Sequence, residues 1–239
     1  MGKKYITQKV NSGFIKTLKK IYDFLKVNIS YFLHYSKEQK IYKKLNSLTE
    51  QKINYKNKGS YIIDGHFYNF GYFFRLQLMR KATESYNGKE VGFVYKYNQK
   101  KCNSFLKNIG ISKIEKLSNT FSSDILYQSQ KIFKKIRKAE DILEIKFPYN
   151  APAHQFYDYI LKKQMLGKVD VKDENIIFYI SEFIESIRFA ERLLEEYEPN
   201  KIFMSHGINI QCSPLCYLAP LHNIEVITLF GNYGVPRFI

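Results

Sequence analysis

The sequence predicts an α/β protein: a Rossmann-like parallel sheet with flanking helices, preceded by a basic amphipathic helical segment. Three observations predict it. Residues 201–207 and 223–234 read as strand, turn, helix, strand and glycine loop, the repeating unit of a parallel sheet. Residues 60–117 alternate as β-α-β-α-β, the half-unit of a doubly wound fold. Residues 1–35 carry apolar side chains three and four apart, flanked by lysines.

Taken in order, Ile6, Val10, Phe14, Leu18, Ile21, Leu25, Ile29 and Phe32 mark one helix face, with Lys16, Lys19, Lys20 and Lys26 beside it. Such a helix either lies in an anionic membrane interface or packs its stripe on the rest of the chain, and both readings stay open. Residues 36–59 continue as a polar helix or linker, so a boundary is expected between residues 59 and 60. Ser60–Asp64, Val91–Tyr97 and Ser112–Leu117 are expected strands, because they are short β-rich runs. Phe70–Tyr86 and Gln99–Ile109 are the helices between them. Asp124–Leu143 predicts one long basic helix, ended by Pro148 and Pro152. His154–Met165 is a further helix. Asp173–Tyr197 is a helix of about seven turns, with Asp173 and Glu174 suited to its positive N-terminus. Lys201–Ser205 and Val226–Phe230 are the last strands, around a helix at Gln211–Leu221.

Composition narrows the function. The 239 residues carry a net charge of +16. Residues 1–60 hold 14 lysines against three acids, whereas residues 151–239 hold eight basic residues against eleven acids. A genome rich in A and T explains the abundance of Lys, Asn, Ile, Tyr and Phe but not this gradient. A basic N-terminal part favours anionic lipid or nucleic acid. A hydrophobic content of 45% argues against global disorder. Three cysteines, Cys102, Cys212 and Cys216, make no disulfide framework, so reduced thiols and a cytoplasmic setting are expected. No stretch has the roughly 18 uncharged apolar residues of a membrane span.

In an open parallel sheet, ligands gather beyond the carboxyl ends of the strands. Three glycine-bearing exits stand there: Asp64-Gly65-His66, Ser205-His206-Gly207 and Gly231-Asn232-Tyr233-Gly234. Asp64 either accepts a proton from a hydroxyl or holds the Gly65 loop by hydrogen bonds, and the loop role carries more weight. His66 and His206 are candidate general bases or scaffold residues. Arg75 and Arg80 either reach an anionic ligand or form a surface pair. Cys212 and Cys216, with His206 and His222 nearby, lack paired Cys-x-x-Cys spacing, so metal binding is the minority reading. Walker A, Gly-x-Gly-x-x-Gly, Gly-x-Ser-x-Gly and His-Glu-x-x-His motifs are absent.

Three stretches resemble the N-terminal half of a bacterial capsular or surface-polysaccharide biosynthesis glycosyltransferase of the two-Rossmann (GT-B) kind. They are residues 61–76, Phe147-Pro148-Tyr149 with residues 157–161, and Ser205-His206-Gly207 with residues 214–219 and 227–231. The resemblance implies transfer of a sugar from a nucleotide-sugar donor to a lipid-linked or growing glycan acceptor. It implies that this domain holds the acceptor, with His206, Asp64 or His66 as the base. Gly65, Arg75, Gly207, Gly231, Asn232, Tyr233 and Gly234 would line the site. Neither cofactor nor metal is required by that design. A second Rossmann domain is missing from the pattern, so the chain is expected to be cut at a domain boundary. It is also expected to sit peripherally at the inner face of the cell membrane through residues 1–35. The alternative is a non-catalytic basic α/β protein that binds nucleic acid or membrane. No recognised nucleic-acid motif supports the nucleic-acid form, and a complete small α/β enzyme lacks its cofactor fingerprint.

Overall fold

Strands buried on both faces read as continuous apolar runs, and Tyr61-Ile62-Ile63, Val91-Gly92-Phe93-Val94 and Ile202-Phe203-Met204 are such runs. In the computed structural model they form the cores of β1 (Ser60–Asp64), β2 (Lys89–Val94) and β4 (Pro199–Met204). The remaining strands are β3 (Lys113–Lys116), β5 (Glu225–Phe230) and β6 (Arg237–Phe238). The structure describes residues 60–65, 89–94, 99–108, 110–111, 113–118, 120–204, 207, 209–230 and 237–238, with Ser36, Lys37 and Lys40. The chain divides into two compact units, residues 1–48 and 49–239. In the first, Ser36, Lys37 and Lys40 are helical. The expected amphipathic helix over residues 1–35 and the helix over Phe70–Tyr86 lie outside the described residues. All that follows concerns the second unit.

Strand order is β3-β2-β1-β4-β5-β6. The first five strands pair in parallel, and β6 closes the edge antiparallel to β5. Order therefore reverses between β1 and β4, the topological switch point of a doubly wound sheet. The expected α/β class with a Rossmann-like parallel sheet and flanking helices is what forms. β6 was not expected, because two residues of edge strand carry no periodicity.

Side chains alternate across a strand, so each strand shows which helices cover which face. A Cβ placed on Gly92 would meet Leu106 and Ile111, whereas the Phe93 ring lies tilted 6.2 Å from Phe189. Leu106 belongs to α1 (Gln99–Asn108) and Phe189 to α4 (Asn175–Tyr197), so these helices lie on opposite faces. Parallel pairing aligns Ile62 with Val91 and Asp64 with Phe93. Ile62, Val91, Phe93, Ile202 and Met204 join the core under α4. Asp64 shares that face by register.

Helix α2 (Ser123–Phe133), α3 (Ala153–Gln164) and α4 pack together on this side. Phe147, Phe156 and Phe183 knit them: Phe147 lies edge-on to Phe156 at 5.1 Å and to Phe183 at 4.7 Å, while Phe156 and Phe183 stack at 5.6 Å. The buried Ser181 hydroxyl donates to Ser129 at 2.8 Å, which joins α4 to α2. Helix α5 (Ser213–Leu221) follows β4.

The single basic helix expected over Asp124–Leu143 does not form. It ends at Phe133 and gives way to a 3₁₀ turn at Ala139–Glu144. The cause is local: Asp141 Oδ2 accepts the amides of Arg137 (2.8 Å) and Lys138 (3.1 Å), which starts a new turn there. A 3₁₀ turn stacks residues three apart, and Ala139 and Ile142 are both buried. Pro148 opens a short 3₁₀ turn with Tyr149 and Asn150 at positive φ, and Pro152 precedes α3, so the expected break stands. Of the expected strand Val91–Tyr97, residues 95–97 lie outside the described residues; the other described elements lie within about two residues of expectation. Asp173 lies just before α4 rather than within it and accepts the Asn175 amide at 3.0 Å.

Glu115 on β3 ties the sheet edge to the end of α4. It accepts the Tyr197 hydroxyl at 2.7 Å and lies 3.0 Å from Lys113 Nζ. Burial by itself would push its carboxyl up. The Tyr197 and Lys113 hydrogen bonds, with the Lys113 and Arg192 charges, outweigh this and hold it below the ordinary glutamate value of 4.5. A lowered folded-state pKa stabilises above the unfolded value and is lost as pH falls through the folded one. Glu115→Gln is expected to lower stability at neutral pH by about 1–2 kcal/mol. The gap from wild type should close in acid below the ordinary glutamate value. Thermal melts across pH check this, and a pH-independent gap would disprove it.

Candidate functional site

The switch point puts the carboxyl ends of β1 and β4 side by side. Asp64 closes β1, is 2% exposed and points toward the α4 face. Gly65 follows, its amide bonded to the Phe93 carbonyl at 2.8 Å, so pairing with β2 continues past the strand end. A Cβ on Gly65 would lie 2.7 Å from both the Phe93 carbonyl oxygen and Leu106 Cδ1. No larger residue fits. Across the switch, Met204 ends β4 and Gly207 follows, where a Cβ would meet Cys216 Sγ at 2.9 Å. Each glycine lets its loop lie against a helix, α1 in one case and α5 in the other.

The Asp64 charge acts on all three cysteines. Burial pushes the Cys102 and Cys216 thiols up to about 12, and the Asp64 charge adds to it. Cys212 is raised for the same reasons, with Cys216 contributing. These thiols stay protonated at neutral pH and pack as small apolar groups rather than as nucleophiles. Cys216 Sγ sits 3.2 Å from Met204 Sδ. His222 ends α5, roughly 15 Å along the helix from Cys212, and cannot share a metal with it. Its Nε2 instead lies 3.3 Å from Glu191 Oε2.

Sequence reading missed three residues here. Helix α4 leads into the amino end of β4, so it runs antiparallel to that strand. Glu182 lies 15 residues before Tyr197, about 22 Å back along the helix, and β4 spans roughly 20 Å. Glu182 therefore stands level with the carboxyl end of β4. There Tyr159 of α3 donates to Glu182 Oε2, and Gln211 Nε2 donates to Glu182 Oε1 at 2.8 Å. Both oxygens are engaged, so this carboxylate braces the loop after β4 against α3 and α4. The available signal was an acid set among the buried Ser181, Phe183 and Ile184 of the stripe.

The start of α5 is not arranged as a phosphate cradle. Its first amides are consumed: Cys212 and Ser213 both donate to the Asn209 carbonyl, at 2.8 and 2.7 Å. Pro214 has no amide proton, and the Asp64 charge acts on this turn. Ser213 Oγ is buried without a hydrogen-bond partner among the described residues. A surface groove of about 460 Å³, lined by Ile132, Ile136, Ile145, Lys135, Asp141 and Glu144, shares no residue with this site.

Of the expected site residues, Asp64, Gly65 and Gly207 come together here. His66, Arg75, His206, Gly231, Asn232, Tyr233 and Gly234 lie outside the described residues. Among the described residues no group of His, Cys, Asp or Glu is placed to hold a metal ion, and no helix is long and apolar enough to cross a membrane.

The fold is a Rossmann-like α/β sheet, and the candidate site lies at its switch point. No protein-family model matches the chain, and no curated protein matches it. Among solved structures it is similar to a CDPS, a cyclodipeptide synthase, from Fluoribacter dumoffii. That likeness covers 76% of this chain and 90% of the other at 11% identity, with a TM-score of 0.39. At that distance it carries no argument.

Two outcomes are expected. Gly65→Ala should destabilise the protein by about 1–3 kcal/mol, read as a lower melting temperature, because backbone and not only Leu106 must move. Gln211→Leu leaves a half-buried Glu182 oxygen without its donor and should cost about 1–3 kcal/mol. Unchanged urea midpoints for Gln211→Leu would show that the brace contributes nothing.

Proposed function

We propose that residues 60–239 form the acceptor-binding domain of a GT-B-like glycosyltransferase, which receives a sugar from a nucleotide-sugar donor on a glycan or lipid-linked hydroxyl. The observation that supports this reading most is the chemistry of the switch-point edge. A buried carboxylate, Asp64, stands beside a helix start whose first amides are already bonded. Such an edge suits a hydroxyl-bearing ligand. It repels a diphosphate, which seeks free amides and positive charge. The donor nucleotide would then be gripped by a separate domain, as the resemblance implies.

Within this reading Asp64 either takes the acceptor proton or fixes the Gly65 loop, and His66 and His206 are the alternative bases. The roles separate by experiment. If Asp64 touches the acceptor, Asp64→Asn keeps its melting temperature and loses affinity for saccharide acceptors by about tenfold or more, the factor for one charge-assisted hydrogen bond. If Asp64 only holds the loop, stability and affinity fall together. The decisive measurement is calorimetric titration of the chain with capsular oligosaccharides, nucleotide sugars and random RNA in turn. Saccharide binding alone supports the proposal. Nucleotide-sugar binding without saccharide binding, or tight RNA binding that weakens steeply with salt, would overturn it.

A further inference from the structure

Ser213 opens α5 beyond the exit of β4, and it is wholly buried, at 0% exposure. Its hydroxyl has no hydrogen-bond partner among the described residues. Other buried serines avoid that cost. Ser129 and Ser186 each donate to the carbonyl four residues back, both at 2.8 Å. Ser213 is denied this bond, because the carbonyl four residues before it, that of Asn209, already accepts the amides of Cys212 and Ser213. Asn103 Oδ1, Gln155 Oε1 and Glu191 Oε2 also lack partners, but those residues are only partly buried. A buried polar group left unpaired in a native fold calls for an explanation.

Its position supplies one. Ser213 and Cys216 are three residues apart and share a helix face. Cys216 Sγ meets Met204 Sδ and the space over Gly207, so that face looks onto the exit of β4. The Asp64 charge acts on Cys212 and Cys216, on either side of Ser213 in the chain. The preceding loop is held firmly: Gln211 donates to Glu182 at 2.8 Å, and Ile210 and Cys212 are wholly buried. The hydroxyl is thus fixed at the switch-point edge with its hydrogen-bonding capacity unspent. A group that costs the free protein stability in this way is one kept for function.

We propose that Ser213 Oγ is a ligand-binding group of this edge and donates its proton to a saccharide hydroxyl oxygen. The inference rests on the acceptor reading above and adds a residue to it. A sugar hydroxyl both accepts and donates. One that receives the Ser213 proton keeps its own for a carboxylate, and Asp64 is a carboxylate of the same edge. An anion is disfavoured there, because the first amides of α5 are bonded and the neighbouring charge is negative. Ser213 is shut off from water in the free protein, so binding requires a local opening at the edge.

Ser213→Ala removes this hydroxyl and little else. The variant should keep or raise its melting temperature, since an unpaired buried group is lost. Ser181→Ala, which breaks the bonded pair with Ser129, should lower the melting temperature. In calorimetric titration with capsular oligosaccharides, Ser213→Ala should lose about three- to tenfold in affinity, the factor for one neutral hydrogen bond. Ser181→Ala should bind as wild type does. A lower melting temperature for Ser213→Ala would overturn the proposal, because the hydroxyl would then be serving the fold. Saccharide affinity equal to that of wild type would overturn it too, while leaving the acceptor reading in place. Absence of saccharide binding by wild type would sink both. Inorganic phosphate that binds wild type but not Ser213→Ala would overturn the assignment to a neutral hydroxyl.

Discussion

Everything in this unit depends on burying β1 on both faces. It is the innermost strand of the parallel part, paired to β2 on one side and β4 on the other. Parallel neighbours need crossover connections, and these supply the helices that cover the sheet. Leu106 of α1 closes over Gly92 and Gly65, while α4 lays Phe189 and its other buried residues over the opposite face. Because α1 approaches so closely, glycine is required at residue 65, where an added methyl group would strike the Phe93 carbonyl. The same constraint brings the carboxyl ends of β1 and β4 together at the reversal of strand order.

Most buried polar groups at that edge are engaged, Ser213 Oγ excepted among the described residues. An unpaired buried polar group costs about as much as a lost hydrogen bond. Glu182 is engaged at both oxygens by Tyr159 and Gln211, which links α3, α4 and the loop after β4 in one network. Burial together with the Asp64 charge keeps the three thiols protonated. The result is an edge with the buried Asp64, the braced Glu182 and a helix start whose first amides are used.

The turn after α3 follows the opposite logic. Where the sheet edge turns its polar groups inward, this turn turns apolar ones outward and spends its own hydrogen bonds on holding them there. Gln164 and Val169 hold the turn in place. Site and turn stand on the same side of the sheet because one helix, α4, sets the height of both.

The strands were readable in the sequence because burial on both faces demands unbroken apolar runs. Helix α4 was readable because a long stripe of period 3.6 has no competing reading. Asp64 and the two glycines were placed at strand exits for the same reason. The break after Phe133 escaped sequence reading, since the helical pattern runs on and only the Asp141 carboxylate, turned back on two amides, interrupts it. Edge strand β6 escaped because two residues hold no period. The Glu182 brace escaped because its partners lie 23 and 29 residues away, a distance at which local pattern carries no information. By itself the sequence determined the five parallel strands, most of the described helices and the strand exits at the carboxyl edge, because hydrophobic period is a local property. Only the tertiary structure decided which polar groups meet at that edge, since their pairing depends on how α3, α4 and the loop after β4 come together in space.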